Sequence, residues 1–160
     1  MQAPMAKKAT IADSHVEMTE LVMPQEINPL GSVFGGWVMA LIDKAAAMAA
    51  TRHCRGPVVT ASVDNIDFLA PMSLGNIVRV SASLTCIFKT SMEVMVAVHS
   101  EDPRTRSRVK TCSAFLTMVC VDAKGRPRVA PPLALTTDTE RNGAAAAVAR
   151  RERRLAHRAG

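Results

Sequence analysis

The chain has 160 residues, enough for one domain with a real core and short of two comfortable ones. Its formal net charge is +6, yet residues 141–160 hold six arginines against Glu152, so the rest of the chain is close to neutral. With 3% aromatic residues and no tyrosine, the body lacks both the clustered cations and the stacking rings of a nucleic-acid surface, and no nucleic-acid partner is expected for it.

Residues 1–14 read as a flexible leader with two lysines and no apolar signal region. His15 to Met23 has the Val, Met and Leu content of a first strand, which Pro24 ends. A loop over 28–36 then opens a helix that runs to about Arg52, where His53, Cys54, Arg55, Gly56 and Pro57 supply a cationic last turn and a stop.

Beyond Pro57 the apolar period changes to roughly two. Strands are expected over 58–69, 76–88, 92–100 and 108–121, all rich in β-branched residues. The separators are short, which predicts antiparallel pairing of the last three strands and an α+β fold with one long helix on a sheet. Gly125, Pro127, Pro131 and Pro132 mark the end of a domain spanning 15–133. The Ala/Arg-rich tail, 134–160, is read as a frayed helix or disorder, with a tail for nucleic acid or an acidic partner as the alternative.

Cysteines at 54, 86, 112 and 120 show no metal-ligand spacing and are expected as buried free thiols in a cytoplasmic protein. No membrane-spanning segment is expected, since the longest apolar run is broken by Asp43-Lys44.

The helix concentrates the interest. It is apolar almost all round, which predicts burial, and it carries one carboxylate, Asp43, in its middle. Gly36, Ala40, Asp43 and Ala47 share one face, so small side chains surround the carboxylate. Either an arginine from elsewhere pairs with Asp43 or the vacant volume admits a reacting group. At the helix start, Gly35 and Gly36 leave exposed N–H groups that could stabilise an oxyanion. Asp43 lies roughly 12 Å farther along the same helix, too far to share one carbonyl with them. If both act on one carbon, the aspartate comes from a second, antiparallel subunit. Incomplete coverage of the helix by one sheet also predicts a dimer.

Asn28, Gly35-Gly36 and Asp43, followed by Val58-Val59-Thr60-Ala61-Ser62-Val63-Asp64 and Phe68, resemble the hot-dog-fold acyl-CoA thioesterases. The likeness extends over about residues 15–133, through Lys89-Thr90-Ser91-Met92-Glu93-Val94 and Ser113-Ala114-Phe115. It implies a sheet wrapped around a central helix, and hydrolysis of acyl-CoA to a free acid and coenzyme A. By the resemblance, Asp43 is the base or nucleophile, Gly35 or Gly36 the N–H donor, and Asn28 a contact from the opposite subunit; Asn28 also reads as an Asx-turn residue before Pro29. The expected assembly is at least a homodimer, and in its fuller form a trimer of dimers.

Coenzyme A phosphates turn attention to Lys89, Arg106, Arg108 and Lys110, with Ser91 beside Lys89. Solvated hairpin charges are the plainer reading of those residues. Thr60 and Ser62 are candidates for the pantetheine arm. No metal and no cofactor is expected, coenzyme A being part of the substrate and a product. Two rivals are a hot-dog hydratase or dehydratase, which would want a histidine near its carboxylate, and a non-catalytic acyl-CoA or nucleotide-binding regulator.

Overall fold

The structure is a computed structural model and describes residues 8–159. In chain order it contains β1 (Ala9–Thr10), α1 (Ile11–Ser14), β2 (Val16–Leu21), a 3-10 turn (Pro24–Glu26), α2 (Gly35–Cys54), β3 (Val58–Val63), β4 (Ile77–Ile87), β5 (Ser91–Asp102), β6 (Ser107–Cys120), β7 (Leu133–Ala134) and α3 (Asp138–Ala159). Five strands form an antiparallel sheet in the order β2-β4-β5-β6-β3, and β1 pairs with β7 in a separate parallel ladder. The α+β architecture with three antiparallel neighbours at its centre follows from the short turns at 88–90 and 103–106.

Alternation along β5 sorts the two faces of the sheet. Met92, Val94, Val96 and Val98 are buried toward α2, together with Val78, Val80 and Leu84 of β4 and Leu116 and Met118 of β6. Glu93, Met95, Ala97 and His99 alternate with them on the other face. α2 docks through Val38, Leu41, Ile42, Ala45, Ala46, Ala49 and Ala50. Its opposite side is open: Gly36, Met39, Ala40, Asp43, Lys44 and Met48 are exposed in the single chain. The expectation of an all-round buried helix is corrected accordingly, because one sheet can cover only one side. α2 ends at Arg55 in the left-handed region (φ 50°). There Arg128 donates to the carbonyls of Cys54 and Val121, and a Cβ on Gly56 would come within 2.8 Å of its guanidinium.

Three further expectations change. The strand after α2 stops at Val63 instead of Leu69: the Asp64 and Leu69 N–H groups still reach the carbonyls of Phe115 and Thr111, but the chain between them leaves the ladder. Four free thiols were expected, whereas Cys54 and Cys120 form a disulfide where the end of α2 meets the end of β6, with Cα atoms 6.3 Å apart. Cys86 and Cys112 remain free, and burial pushes both thiols up. At the N-terminus, residues 9–14 are structured, with Thr10 and Asp13 forming a capping box on α1; the rest of the expected leader, residues 1–7, lies outside the described residues.

The largest correction is the tail. Residues 138–159 form α3, whose start is fixed by a second capping box in which Thr137 Oγ1 accepts from the Glu140 N–H and Glu140 accepts from the Thr137 N–H. α3 lies on the sheet face opposite α2. Ala147 is buried beneath it, and Arg150 forms two hydrogen bonds to Glu93, at 2.7 and 3.0 Å. Glu93 is 0% exposed and also accepts from Thr85 Oγ1 at 2.6 Å. Arg150 stacks over Phe115 and Arg151 over Phe88, at 3.7 and 4.8 Å. Fixed partners on the sheet turn an alanine- and arginine-rich segment into a docked helix. No helix among the described residues is long and apolar enough to cross a membrane.

Candidate active site

On the open side of α2, Asp43 meets β3. Register pairs Thr60 with Met118, on the face turned to α2, and Thr60 Oγ1 donates to Asp43 Oδ1 at 2.6 Å. A hydroxyl takes the place of the arginine that a structural aspartate was expected to have; among the described residues no cation pairs with Asp43. Asp43 as a residue is exposed in the single chain. This carboxylate is presented, oriented by one strong hydrogen bond.

The register shifts directly after Thr60, between it and Ser62. The extra residue puts Thr60 and Ser62 on opposite faces, although they are two apart in sequence. Ser62 pairs with Thr117 on the α3 side, and the two buried hydroxyls have no hydrogen-bond partner among the described residues. Thr60 and Ser62 therefore do not form one site.

At the start of α2 the N-cap residue is Phe34, which offers no side-chain acceptor, so the first-turn amides at Gly35 and Gly36 receive no side-chain cap. The ring of Phe68 lies against Gly35: a Cβ there would meet Phe68 Cζ at 3.3 Å. Beside it is a cavity of about 360 Å³ lined by Val33, Gly35, Val38, Phe68, Leu69 and Met72. Absence of a side chain at Gly35 is what lets another group approach the helix end.

Asn28 sits in the loop leading to this end. Its Oδ1 accepts from the Leu30 N–H at 2.9 Å and the Ser32 N–H at 3.3 Å, and its Nδ2 donates to Ser32 Oγ at 3.2 Å. The Asx turn expected of an asparagine before proline is present, and it fixes the entry to Gly35.

The cationic candidates separate. Lys89 and Ser91 lie at the β4–β5 turn, at the same end of the sheet as Thr60 and two strands away, since Ser91 and Val59 both pair with Val119. Arg106 and Arg108 lie at the other end of β5, roughly 36 Å away along a twelve-residue strand. Arg108 is engaged with Glu101 at 2.6 Å. One copy of the chain cannot bring all four to one ligand. Sequence reasoning missed two contacts, Phe68 on Gly35 and Thr60 on Asp43, because each joins α2 to a residue on a separate segment, and spacing along the chain does not reveal such pairings.

The thioesterase superfamily model matches residues 30–107. The chain is 38% identical over 128 residues to an uncharacterized acyl-CoA thioester hydrolase of Bacillus subtilis, covering 80% of this chain and 74% of that protein. Among solved structures, an apo-hexameric acyl-CoA thioesterase is 39% identical with a TM-score of 0.91, covering 95% of this chain and 97% of the other. The acyl-CoA hydrolase of Staphylococcus aureus, solved with butyryl coenzyme A and coenzyme A, is 34% identical with a TM-score of 0.86, covering 94% of this chain and 92% of the other. That enzyme has also been solved with an aspartate, a threonine and an asparagine each replaced by alanine.

Proposed function

The chain belongs to the thioesterase superfamily, among its acyl-CoA thioester hydrolases, and on that premise we propose that Asp43 and the Gly35-Gly36 helix end of a second copy act on one thioester carbonyl. The observation that carries this reading is the Thr60–Asp43 hydrogen bond on a helix face left open to the outside. A carboxylate held by a single hydroxyl, with small residues around it, keeps an oxygen free to react. The separation of roughly 12 Å from its own Gly35 requires the second subunit.

Two routes use the same atoms. As base, Asp43 takes a proton from water while the water oxygen bonds to the carbonyl carbon. As nucleophile, its free oxygen bonds to that carbon, giving a mixed anhydride that water then cleaves. Along either route the carbonyl oxygen gains negative charge, which N–H groups at the helix end stabilise. The C–S bond breaks with its electron pair on sulfur, and coenzyme A leaves as the thiol after protonation. Asn28 contributes from the subunit that supplies Gly35, by shaping the loop at that helix end. Aspartate, threonine and asparagine, the residue types altered in the Staphylococcus aureus enzyme, are those that Asp43, Thr60 and Asn28 supply here.

The exposed α2 face, with Met39 and Met48 about half exposed, is assigned to the homodimer contact, and a trimer of dimers to the full assembly, consistent with the hexameric relative. Lys89 and Ser91 are assigned to coenzyme A at the Thr60 end of the sheet; Arg106 and Arg108 can join them only from another copy.

The test is thiol release by purified protein from acyl-CoA substrates, followed by mixing Asp43→Ala with Asn28→Ala subunits. Thiol release and recovery of one intact site per mixed dimer are expected. An inactive wild type defeats the hydrolase reading, and an active wild type with no recovery in the mixed dimer defeats the shared site.

A further inference from the structure

Thr60 sits on one of the two short edge strands of the sheet. β3 is an edge strand, hydrogen-bonded within the chain to β6 alone, and its ladder is interrupted just after Thr60. Past the interruption, neither Ser62 nor Thr117 contributes a side-chain hydrogen bond. The side-chain tie at this end of β3 comes from α3. Arg154 Nη1 lies 3.2 and 3.1 Å from the two carboxylate oxygens of Asp64, the residue directly after the strand. Both side chains are largely shielded, at 14% and 26% exposure, so water and salt screen this pair less than a surface pair.

Arg154 is itself held by a fixed support. One helical turn earlier, on the same face of α3, Arg150 grips the fully buried Glu93 and stacks on Phe115. The Phe115 carbonyl accepts the Asp64 N–H at 2.8 Å. Asp64 is thus held through its backbone by β6 and through its side chain by α3. It stands four residues after Thr60 and four before Phe68, the ring against Gly35.

We propose that Arg154 is a positioning residue for the hydrolysis: by fixing Asp64 it sets the end of β3, and through it the hydrogen bond from Thr60 to Asp43. The inference rests on Asp43 being the reactive carboxylate. α3 then acts on the far side of the sheet from the chemistry without touching substrate. Loss of the tie frees the strand on both sides of its irregular register, so the Thr60 hydroxyl spends less time on Asp43 Oδ1 while the surfaces that hold coenzyme A are unchanged. The effect falls on kcat and leaves KM in place.

The experiment compares wild type, Arg154→Ala, Arg154→Lys, the charge swap Asp64→Arg with Arg154→Asp, and Arg153→Ala as a control for loss of a neighbouring exposed arginine. Amide hydrogen exchange over residues 58–64 and steady-state kinetics with butyryl-CoA are measured on each full-length protein. In Arg154→Ala, faster exchange is expected in 58–64, with a roughly three- to tenfold lower kcat, the size of one weakened hydrogen bond, and KM within about twofold. Arg154→Lys and the swap should recover much of kcat, and Arg153→Ala should match wild type. Unchanged exchange in Arg154→Ala overturns the tie. Faster exchange with unchanged kcat, or a fall in kcat that neither Arg154→Lys nor the swap recovers, overturns the positioning role. A wild type that releases no thiol instead overturns the hydrolase reading on which the role rests, and exchange separates that failure from failure of the tie.

Discussion

α2 meets the sheet through one valine, one leucine, one isoleucine and several alanines, whereas α3 meets the opposite face through one buried alanine and a row of arginines. Apolar docking of α2 needs no specific partner atoms, and it leaves a whole side of the helix free to carry Asp43. Docking of α3 depends on particular atoms: Glu93 is completely buried, and its oxygens are taken up by Arg150 and Thr85. Substitution on the open face of α2 should therefore touch chemistry and spare the fold, while substitution beneath α3 should do the reverse.

Asp43→Ala is expected to show the larger contrast. Thioester hydrolysis should fall by roughly 10²- to 10⁴-fold, the range assigned to a positioned acid–base group, while thermal stability changes little because the side chain lies outside the core and its bond is a single one, from Thr60. A protein that keeps its turnover, or one that unfolds, would break the contrast at the α2 side. Single-turnover hydrolysis in ¹⁸O-labelled water adds detail: label in the Asp43 carboxyl group marks nucleophilic attack, with water opening the anhydride at the aspartyl carbon.

Glu93→Ala comes next. It strands the Arg150 guanidinium in a site that is 19% exposed, and removing one member of a buried pair destabilises by about 3–5 kcal/mol. A large drop in thermal midpoint is expected, together with loss of α3 protection in hydrogen exchange. Converting Glu93 and Arg150 together to apolar residues should restore much of the loss, since the desolvation of both ions is then avoided. A destabilisation below about 1 kcal/mol in Glu93→Ala would mean that α3 is held by something other than this pair.

The same contrast governs what the sequence disclosed. Apolar periodicity marks the helix beginning at Gly35 and the strands at 77–87, 91–102 and 107–120 because those segments bury hydrocarbon. α3 buries little of it, so its arginines look like solvated charge; the Ala147, Arg150, Arg154 spacing and the Thr137-to-Glu140 cap are its visible signs, and they gain meaning only once Phe115, Glu93 and Asp64 are in place. Asp43 stands out as a carboxylate in an apolar run, and Gly35-Gly36 as an uncapped helix start. Their partners are less legible. Thr60 reaches Asp43 from the register that pairs it with Met118, and the slip after it turns Ser62 to the other face, a single-residue event that leaves no mark in composition.

Acid titration gives the smallest predicted effect and bears on the helix ends. α2 begins at Phe34 with no capping carboxylate, whereas α3 begins with Glu140, which accepts from the N–H groups of Thr136 and Thr137. Those bonds, the Thr136 N–H foremost, hold the Glu140 carboxyl below its ordinary value of 4.5. A carboxyl lowered in the folded state stabilises it fully above the unfolded value, and the contribution disappears as pH falls through the folded one. Below about pH 4.5 the start of α3 should therefore fray while the start of α2 is unaffected by this group, read as faster exchange at 138–141 than at 36–39. In Glu140→Gln the charge-dependent part is absent at every pH, so the difference in midpoint between wild type and variant should shrink on acidification. A difference that stays constant from neutral pH to below pH 4 would show that the cap acts through hydrogen-bond geometry alone, and that the two helix starts do not differ in their response to acid.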